Sequence, residues 1–235
     1  MTHNIAIIPA RGGSKRIPKK NIIDFDGKPM IAWTIEAAIK SKQFTKILVS
    51  TDCNEIAKVS KNYGAEVPFL REKLSDDITP VSEATCHALI QAENYWSTKF
   101  DTVTQLMANC PLRSSIDITN AMDIFNKENR DFQISCFKFG WMNPWWSFRF
   151  KNNNQNEHEY MFPSARLERS QDLDDLFCPT GSIWIAKSSQ LKLSKTFYGD
   201  DYKFEEINWI SAVDIDDYDD LAFANALRHY KNSQV

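Results

Sequence analysis

The chain has 235 residues, 43% hydrophobic and 25% charged, proportions that let a single globular core form. Its 28 Lys and Arg against 31 Asp and Glu leave a net charge of −3, which argues against the broad basic face that dominates nucleic-acid binding. No apolar segment approaches the roughly 20 residues needed to span a bilayer, and Met1-Thr2-His3-Asn4 offers no basic region ahead of a signal core.

The expectation is therefore a cytoplasmic protein with no nucleic-acid and no membrane partner. Cys53, Cys86, Cys110, Cys136 and Cys178 are widely spread with no CxxC pair, so reduced thiols are expected.

Residues 5–10 and 46–50 read as short buried strands, and between them 29–42 carries helical spacing at Ile31, Ile35, Ala38 and Ile39. Pro29 suits a first helical turn. A second helix is expected from Asp52, with Glu55 three residues on as in a capping box and Gly64 at its C-terminal stop. Residues 67–70 read as a third strand. A helix within 81–95, a strand over 102–107 and a helix over 115–126 follow.

Strands alternating with helices predict a mostly parallel sheet covered on both faces. Ligands of such sheets bind beyond the C-terminal strand ends. That rule gathers Arg11 to Arg16, Thr51-Asp52 and Asn109 to Arg113 on one rim.

After Gln133 the alternation breaks. Residues 134–139, 145–150 and 181–186 look like strands separated by polar loops, among them 151–156. Trp141, Trp145, Trp146, Trp184 and Trp209 make this half aromatic, and a β excursion over about 138–180 that forms a homodimer is expected. A strand over 209–213 and an amphipathic helix over 218–231 close the chain, read as one domain over 1–235.

Two stretches carry chemistry. Residues 11–20 hold Gly12 and Gly13 with Arg11, Lys15, Arg16, Lys19 and Lys20, five cations in ten residues of an acidic protein. Glycines let backbone N–H groups approach phosphate oxygens and the cations neutralise charge, although an ordinary turn with solvated lysines fits the same letters. Near the other end, Asp214-Ile215-Asp216 places two carboxylates at i and i+2, where side chains of an extended chain share a face and can meet one hard cation. Capping of the following helix is the competing reading.

His3, His87, His158 and His229 lack metal-ligand spacing, and neither a Walker loop nor GxGxxG is present. No Ser-His-Asp or Cys-His arrangement can be proposed from spacing. What remains is phosphate chemistry carried by cations and a metal.

Pro9-Ala10-Arg11-Gly12-Gly13-Ser14-Lys15-Arg16 followed by Pro18-Lys19-Lys20-Asn21 resembles the acylneuraminate cytidylyltransferase family, the bacterial enzymes that activate nonulosonic acids. Gly27-Lys28-Pro29-Met30, Ser50-Thr51-Asp52, Tyr63-Gly64-Ala65-Glu66, Cys110-Pro111-Leu112-Arg113, Arg169-Ser170-Gln171-Asp172-Leu173, Gly181-Ser182-Ile183-Trp184-Ile185 and Asp214-Ile215-Asp216 follow in family order.

The resemblance implies a Rossmann-like α/β nucleotidyltransferase fold and a Mg²⁺-dependent reaction of CTP with a sialic acid-like sugar, giving the CMP-sugar and pyrophosphate. It puts Arg11, Gly12, Gly13, Ser14, Lys15, Lys20, Asn21 and Arg71 around CTP. Asp214 and Asp216 would hold Mg²⁺, while Arg169 and Gln171 would approach the sugar carboxylate. Arg11, Lys15, Asp214 and Asp216 are the implied catalytic set.

Two departures stand out. Many relatives read Gln-Pro-Thr-Ser-Pro-Leu-Arg where this chain has Met107-Ala108-Asn109-Cys110-Pro111-Leu112-Arg113, leaving backbone groups or Asn109 to replace the glutamine's nucleotide contact. Asn143-Pro144-Trp145-Trp146 stands where a basic residue is common, which suggests an aromatic pocket for a deoxy, acylamino sugar of legionaminic or pseudaminic type. Cytidylyl transfer to Kdo or transfer from another nucleotide to a sugar phosphate, and a nucleotide-binding module without turnover, are the alternatives.

Overall fold

The computed structural model of the protein describes residues 2–74, 78–152 and 154–233. Strand β1 (Asn4–Pro9) is buried along its whole length. Its alternating residues serve two cores: Ala6 and Ile8 join Ile35, Ile56 and Phe125 on one face, while Ile5 and Ile7 join Cys86, Leu89 and Phe100 on the other. The unbroken apolar run after Asn4 is what a strand covered on both faces requires.

A small hairpin of β2 (Asp24–Phe25) and β3 (Lys28–Pro29) leads into α1 (Met30–Ser41), β4 (Lys46–Ser50) and α2 (Asn54–Asn62). Then come α3 (Val81–Trp96), β5 (Thr102–Gln105), α4 (Ser115–Lys127) and β6 (Phe132–Lys138). Helix α4 starts on a reciprocal cap: Ser114 Oγ accepts from Asp117 N–H at 3.2 Å, and Asp117 Oδ2 accepts from Ser114 N–H at 2.7 Å.

Between β6 and β9 (Phe177–Lys187) the chain leaves the sheet and forms an antiparallel hairpin of β7 (Phe148–Lys151) and β8 (Asn154–Tyr160). Helix α5 (Ser188–Ser194), β10 (Lys203–Glu206) and α6 (Tyr218–Ser233) complete it. The six-stranded sheet runs β10-β6-β9-β5-β1-β4. β1 is parallel to β4 and β5, β10 is parallel to β6, and β9 runs antiparallel to both β5 and β6. The sheet is thus mostly parallel, as expected, and no helix of the described residues is long and apolar enough to cross a membrane.

Several local expectations are corrected. Residues 67–70 form no strand; only Glu66 bridges Leu48, and Pro68 cannot donate to a ladder. Residues 209–213 form a turn, with Ala212 N–H donating to Trp209 O and Val213 N–H to Ile210 O, so their apolar residues meet the core without a ladder.

The strand expected at 145–150 begins as a 3-10 turn at Pro144–Trp146, where Asn143 Oδ1 accepts from Trp145 N–H. Much of the expected polar loop at 151–156 belongs to the hairpin; Asn153 lies outside the described residues. Helix α2 is capped at Cys53, not Asp52, and Glu55 pairs with Lys19. Gly64, at φ +93°, closes that helix as expected.

Candidate active site

A cavity of about 610 Å³ lies at the C-terminal ends of β1 and β5. Arg11, Ser14, Lys15, Arg16, Lys20 and Asn21 line it from the loop after β1, Arg71 and Leu74 from the segment beyond α2, Met107 and Asn109 from the loop after β5, and Asp214 and Asp216 from the segment before α6. Of the rim groups, Gly12, Gly13, Thr51-Asp52 and residues 110–113 stop short of the cavity lining, and three of them brace it: Thr51 O accepts from Arg71 N–H, Asp52 from Gly12 N–H, and Arg113 donates to Met107 O.

The loop is held by its own residues. Ile17, fully buried, packs with Phe25, Met30, Leu112 and Ile215, and Asn21 Nδ2 donates to Arg11 O at 2.9 Å. Gly12 is needed for close approach, because a Cβ there would lie 3.0 Å from Cys53 Cβ. Its N–H does not serve the cavity: it donates to Asp52 Oδ1 at 2.8 Å. The expected cap residue is therefore a loop anchor, and of the expected glycine cradle only Ser14 lines the cavity, while Gly13 has open space beside it. Lys19, at φ +55°, turns away to Glu55.

Arg71 is 5% exposed and fixed by its backbone, whose N–H donates to Thr51 O at 2.7 Å. Burial lowers its pKa below the usual guanidinium value, and nearby Arg11 adds to the effect against Asp52.

On the opposite wall, residues 213–216 belong to no strand or helix. Ile215 is fully buried, so Asp214 and Asp216 project together into the cavity, and the i/i+2 expectation holds without a strand. Asp216 accepts from Lys20 Nζ at 2.7 Å and Arg16 Nη2 at 2.6 Å. Burial pushes its carboxyl pKa up, but these two cations outweigh that and hold it below the usual carboxylate value.

Asp214 is deeper. Burial first, and the neighbouring Asp216 second, push its pKa up to about 6. Lys20 thus spans both walls, since its Nζ also donates to Ile215 O at 2.8 Å.

No group of three or more His, Cys, Asp or Glu suited to a metal occurs among the described residues. Two carboxylates facing a cluster of cations in one cavity nevertheless fit Mg²⁺, which takes few protein oxygens and completes its shell with phosphate and water. Cys110 beside them does not compete: burial drives its thiol pKa far up and keeps the proton on sulfur.

Arg169 and Gln171 do not join this cavity. Arg169 is exposed and pairs with Asp172 at 2.7 Å, on the excursion between β6 and β9. Nor does the expected aromatic pocket form here: Trp145 Nε1 donates to Asp174 O and Trp146 Nε1 to Ala165 O, both within the excursion. The apolar lining comes instead from Pro9, Ile17, Leu74, Val81, Ala84 and Met107. Met107 is seated against Gly181, where a Cβ would come 2.8 Å from its Cγ. Spacing alone did not single out these wall residues; the one local signal was Pro80 opening α3 beside Val81 and Ala84.

The topology and the rim cavity place the protein among the Rossmann-like nucleotidyltransferase folds. A solved structure described as CMP:2-keto-3-deoxy-manno-octonic acid synthetase complexed with CTP matches it with a TM-score of 0.69 at 16% identity, over 98% of this chain and all of that one. A cytidylyltransferase family model matches residues 5–233.

The chain belongs to this cytidylyltransferase family. It is 36% identical over 234 residues, 95% of each chain, to the pseudaminic acid cytidylyltransferase of Campylobacter jejuni subsp. jejuni serotype O:23/36 (strain 81-176). It is 33% identical over 225 residues, again 95% of each chain, to the CMP-N,N'-diacetyllegionaminic acid synthase of Legionella pneumophila subsp. pneumophila (strain Philadelphia 1).

Proposed function

We propose that this protein joins CTP to a nonulosonic acid of the pseudaminic or legionaminic type, releasing pyrophosphate, in the cytoplasm and as a homodimer. The observation that carries the reading is one cavity with Arg11, Lys15, Arg16 and Lys20 on one wall and Asp214 with Asp216 on the other. The activities of the relatives supply the substrate class. The apolar wall of Leu74, Val81, Ala84 and Met107 suits a sugar with fewer hydroxyls.

In the reaction, the anomeric hydroxyl oxygen bonds to the α-phosphorus, its proton is released, and the bond from that phosphorus to the β-phosphate oxygen breaks. Arg11 and Lys15 hold the triphosphate and stabilise the charge that grows on the leaving pyrophosphate. At an effective dielectric near 20, one charge pair at 4 Å is worth roughly 4 kcal/mol, so several suffice to orient CTP. Asp214 and Asp216 are the residues to hold Mg²⁺, which supplies Lewis acidity toward the phosphate oxygens when bound. The excursion, with Arg169, Gln171 and its exposed aromatic residues, is assigned to subunit association.

The test incubates the protein with Mg²⁺, each of CTP, UTP, GTP and ATP, and a panel of pseudaminic, legionaminic, N-acetylneuraminic and Kdo acids. Pyrophosphate release with CTP and a deoxy nonulosonic acid is expected. Release only with Kdo, or only with another nucleotide, contradicts the assignment.

A further inference from the structure

The carboxylate pair sits on a segment that no sheet ladder supports, so its geometry must come from elsewhere. Asn109 is that support on the cavity side. Its carbonyl accepts from Ile215 N–H at 2.9 Å, and its Nδ2 donates to Asp214 Oδ1, to Ile215 O at 3.2 Å and, at the long distance of 3.4 Å, toward Asp216 Oδ1. One residue thus grips the backbone of the segment from both sides and touches both acids.

The loop carrying Asn109 is itself fixed. Arg113, 3% exposed, donates to Ser182 O at 2.5 Å, to Thr34 Oγ1 at 2.7 Å and to Met107 O at 3.4 Å, tying that loop to β9 and α1.

The chemistry of the amide matters. An NH₂ group offers two donors and no charge. Two carboxylates side by side repel, and a donor on the more buried one offsets that repulsion without cancelling the charge that attracts a cation. A lysine in the same place would neutralise the site. Asp216 Oδ1 already accepts from Lys20 and Oδ2 from Arg16, whereas no hydrogen bond from a described residue reaches Asp214 Oδ2. That oxygen stays open while Oδ1 is tied. Asn109 is only 5% exposed, so water competes little for its donors.

We propose that Asn109 is a positioning residue that presents the Asp214/Asp216 pair to a divalent cation, through its side-chain amide and not as a nucleotide contact. The proposal rests on the metal reading of that pair given above. Hydrogen-bonding groups behind metal ligands typically change metal affinity by about 10–100-fold when removed.

The test uses the full chain, Mn²⁺ as an EPR-visible probe, and two variants: Asn109→Ala, which removes the donor and leaves a hole, and Asn109→Leu, which removes the donor and fills the space. Both are expected to weaken Mn²⁺ binding in the presence of CTP by about 10-fold or more, while CTP affinity in EDTA stays within about twofold of wild type.

Wild-type Mn²⁺ affinity in both variants, or its recovery in Asn109→Leu alone, overturns the proposal, the second by reducing Asn109 to a space-filler. Loss of metal-free CTP binding in both overturns it by making Asn109 a nucleotide contact. Absence of Mn²⁺ binding to the wild-type protein overturns the metal reading itself, a result the variants do not mimic.

Discussion

Arg113 lies enclosed beneath the cavity, donating to carbonyls and a hydroxyl with no hydrogen-bonded carboxylate among the described residues, and burial lowers its pKa to about 10. Arg16 carries the same charge at the rim, exposed, and its pair with Asp216 is the kind that solvent screens. Arg16 is therefore free to exchange Asp216 for phosphate, whereas Arg113 is committed to the scaffold. Lys15 lines the same cavity as Arg11, Asp214 and Asp216. If it stabilises the leaving group as a preorganised donor does, Lys15→Ala lowers kcat/KM by about 10²–10³. Steady-state kinetics with CTP as the varied substrate check this, and an unchanged value returns Lys15 to a solvated lysine.

Helix α3 contributes a different kind of pairing, remote from the chemistry. Glu93, its side chain 2% exposed, accepts from Lys192 Nζ and Lys99 Nζ, each at 3.0 Å, and from Phe100 N–H at 3.3 Å. Burial alone would raise its pKa, but these donors prevail and hold it below the usual carboxylate value. A carboxyl whose folded pKa is depressed stabilises the fold above its unfolded pKa and loses that contribution as pH falls through the folded value. Glu93→Gln is therefore expected to lower the urea midpoint at pH 7, with the gap to wild type narrowing between about pH 5 and pH 3. A gap independent of pH contradicts this account of α3.

The elements that periodicity made legible are those with one covered face or two. Strands β1 and β4 and helices α1, α3, α4 and α6 fall near their expected places because their apolar residues recur at the spacing of the core they meet. Strand β8, Asn-Gln-Asn-Glu-His-Glu-Tyr, has almost no apolar residue, and β10, Lys-Phe-Glu-Glu, is an exposed edge, so neither carries the signal of burial. The runs at 67–70 and 209–213 have that signal but pair with no strand, since an apolar run reports burial and not hydrogen bonding. At the site, the basic loop and the Asp pair were readable because charge density and i/i+2 spacing are local. Asp52 holding Gly12, and Asn109 holding Asp214, join residues 40 and 105 positions apart, and no local pattern encodes them.

At the scale of the whole molecule, the excursion leaves an apolar surface without cover. Phe148 and Phe150 are 49% and 48% exposed, and Trp141, Leu167 and Phe177 are exposed with them. Phe148 and Phe150 touch, with ring centroids 5.4 Å apart, and exposed apolar side chains gathered on one excursion suit association, consistent with the proposed homodimer. Sedimentation equilibrium is expected to report twice the 27.1 kDa chain mass, and replacing both Phe148 and Phe150 by Ser is expected to shift the protein toward monomer. A wild-type monomer at all concentrations contradicts the assignment.

In the proposed reaction the loop cations and the carboxylate pair act on one nucleotide. ³¹P NMR of CTP with Mg²⁺ and pseudaminic or legionaminic acid reads this on the phosphorus atoms themselves. The α-phosphorus signal is expected to move to a phosphodiester while free pyrophosphate grows in equal amount, with Asp214→Asn abolishing both. A triphosphate spectrum unchanged by wild-type protein and every sugar, or conversion that proceeds equally in Asp214→Asn, would contradict it.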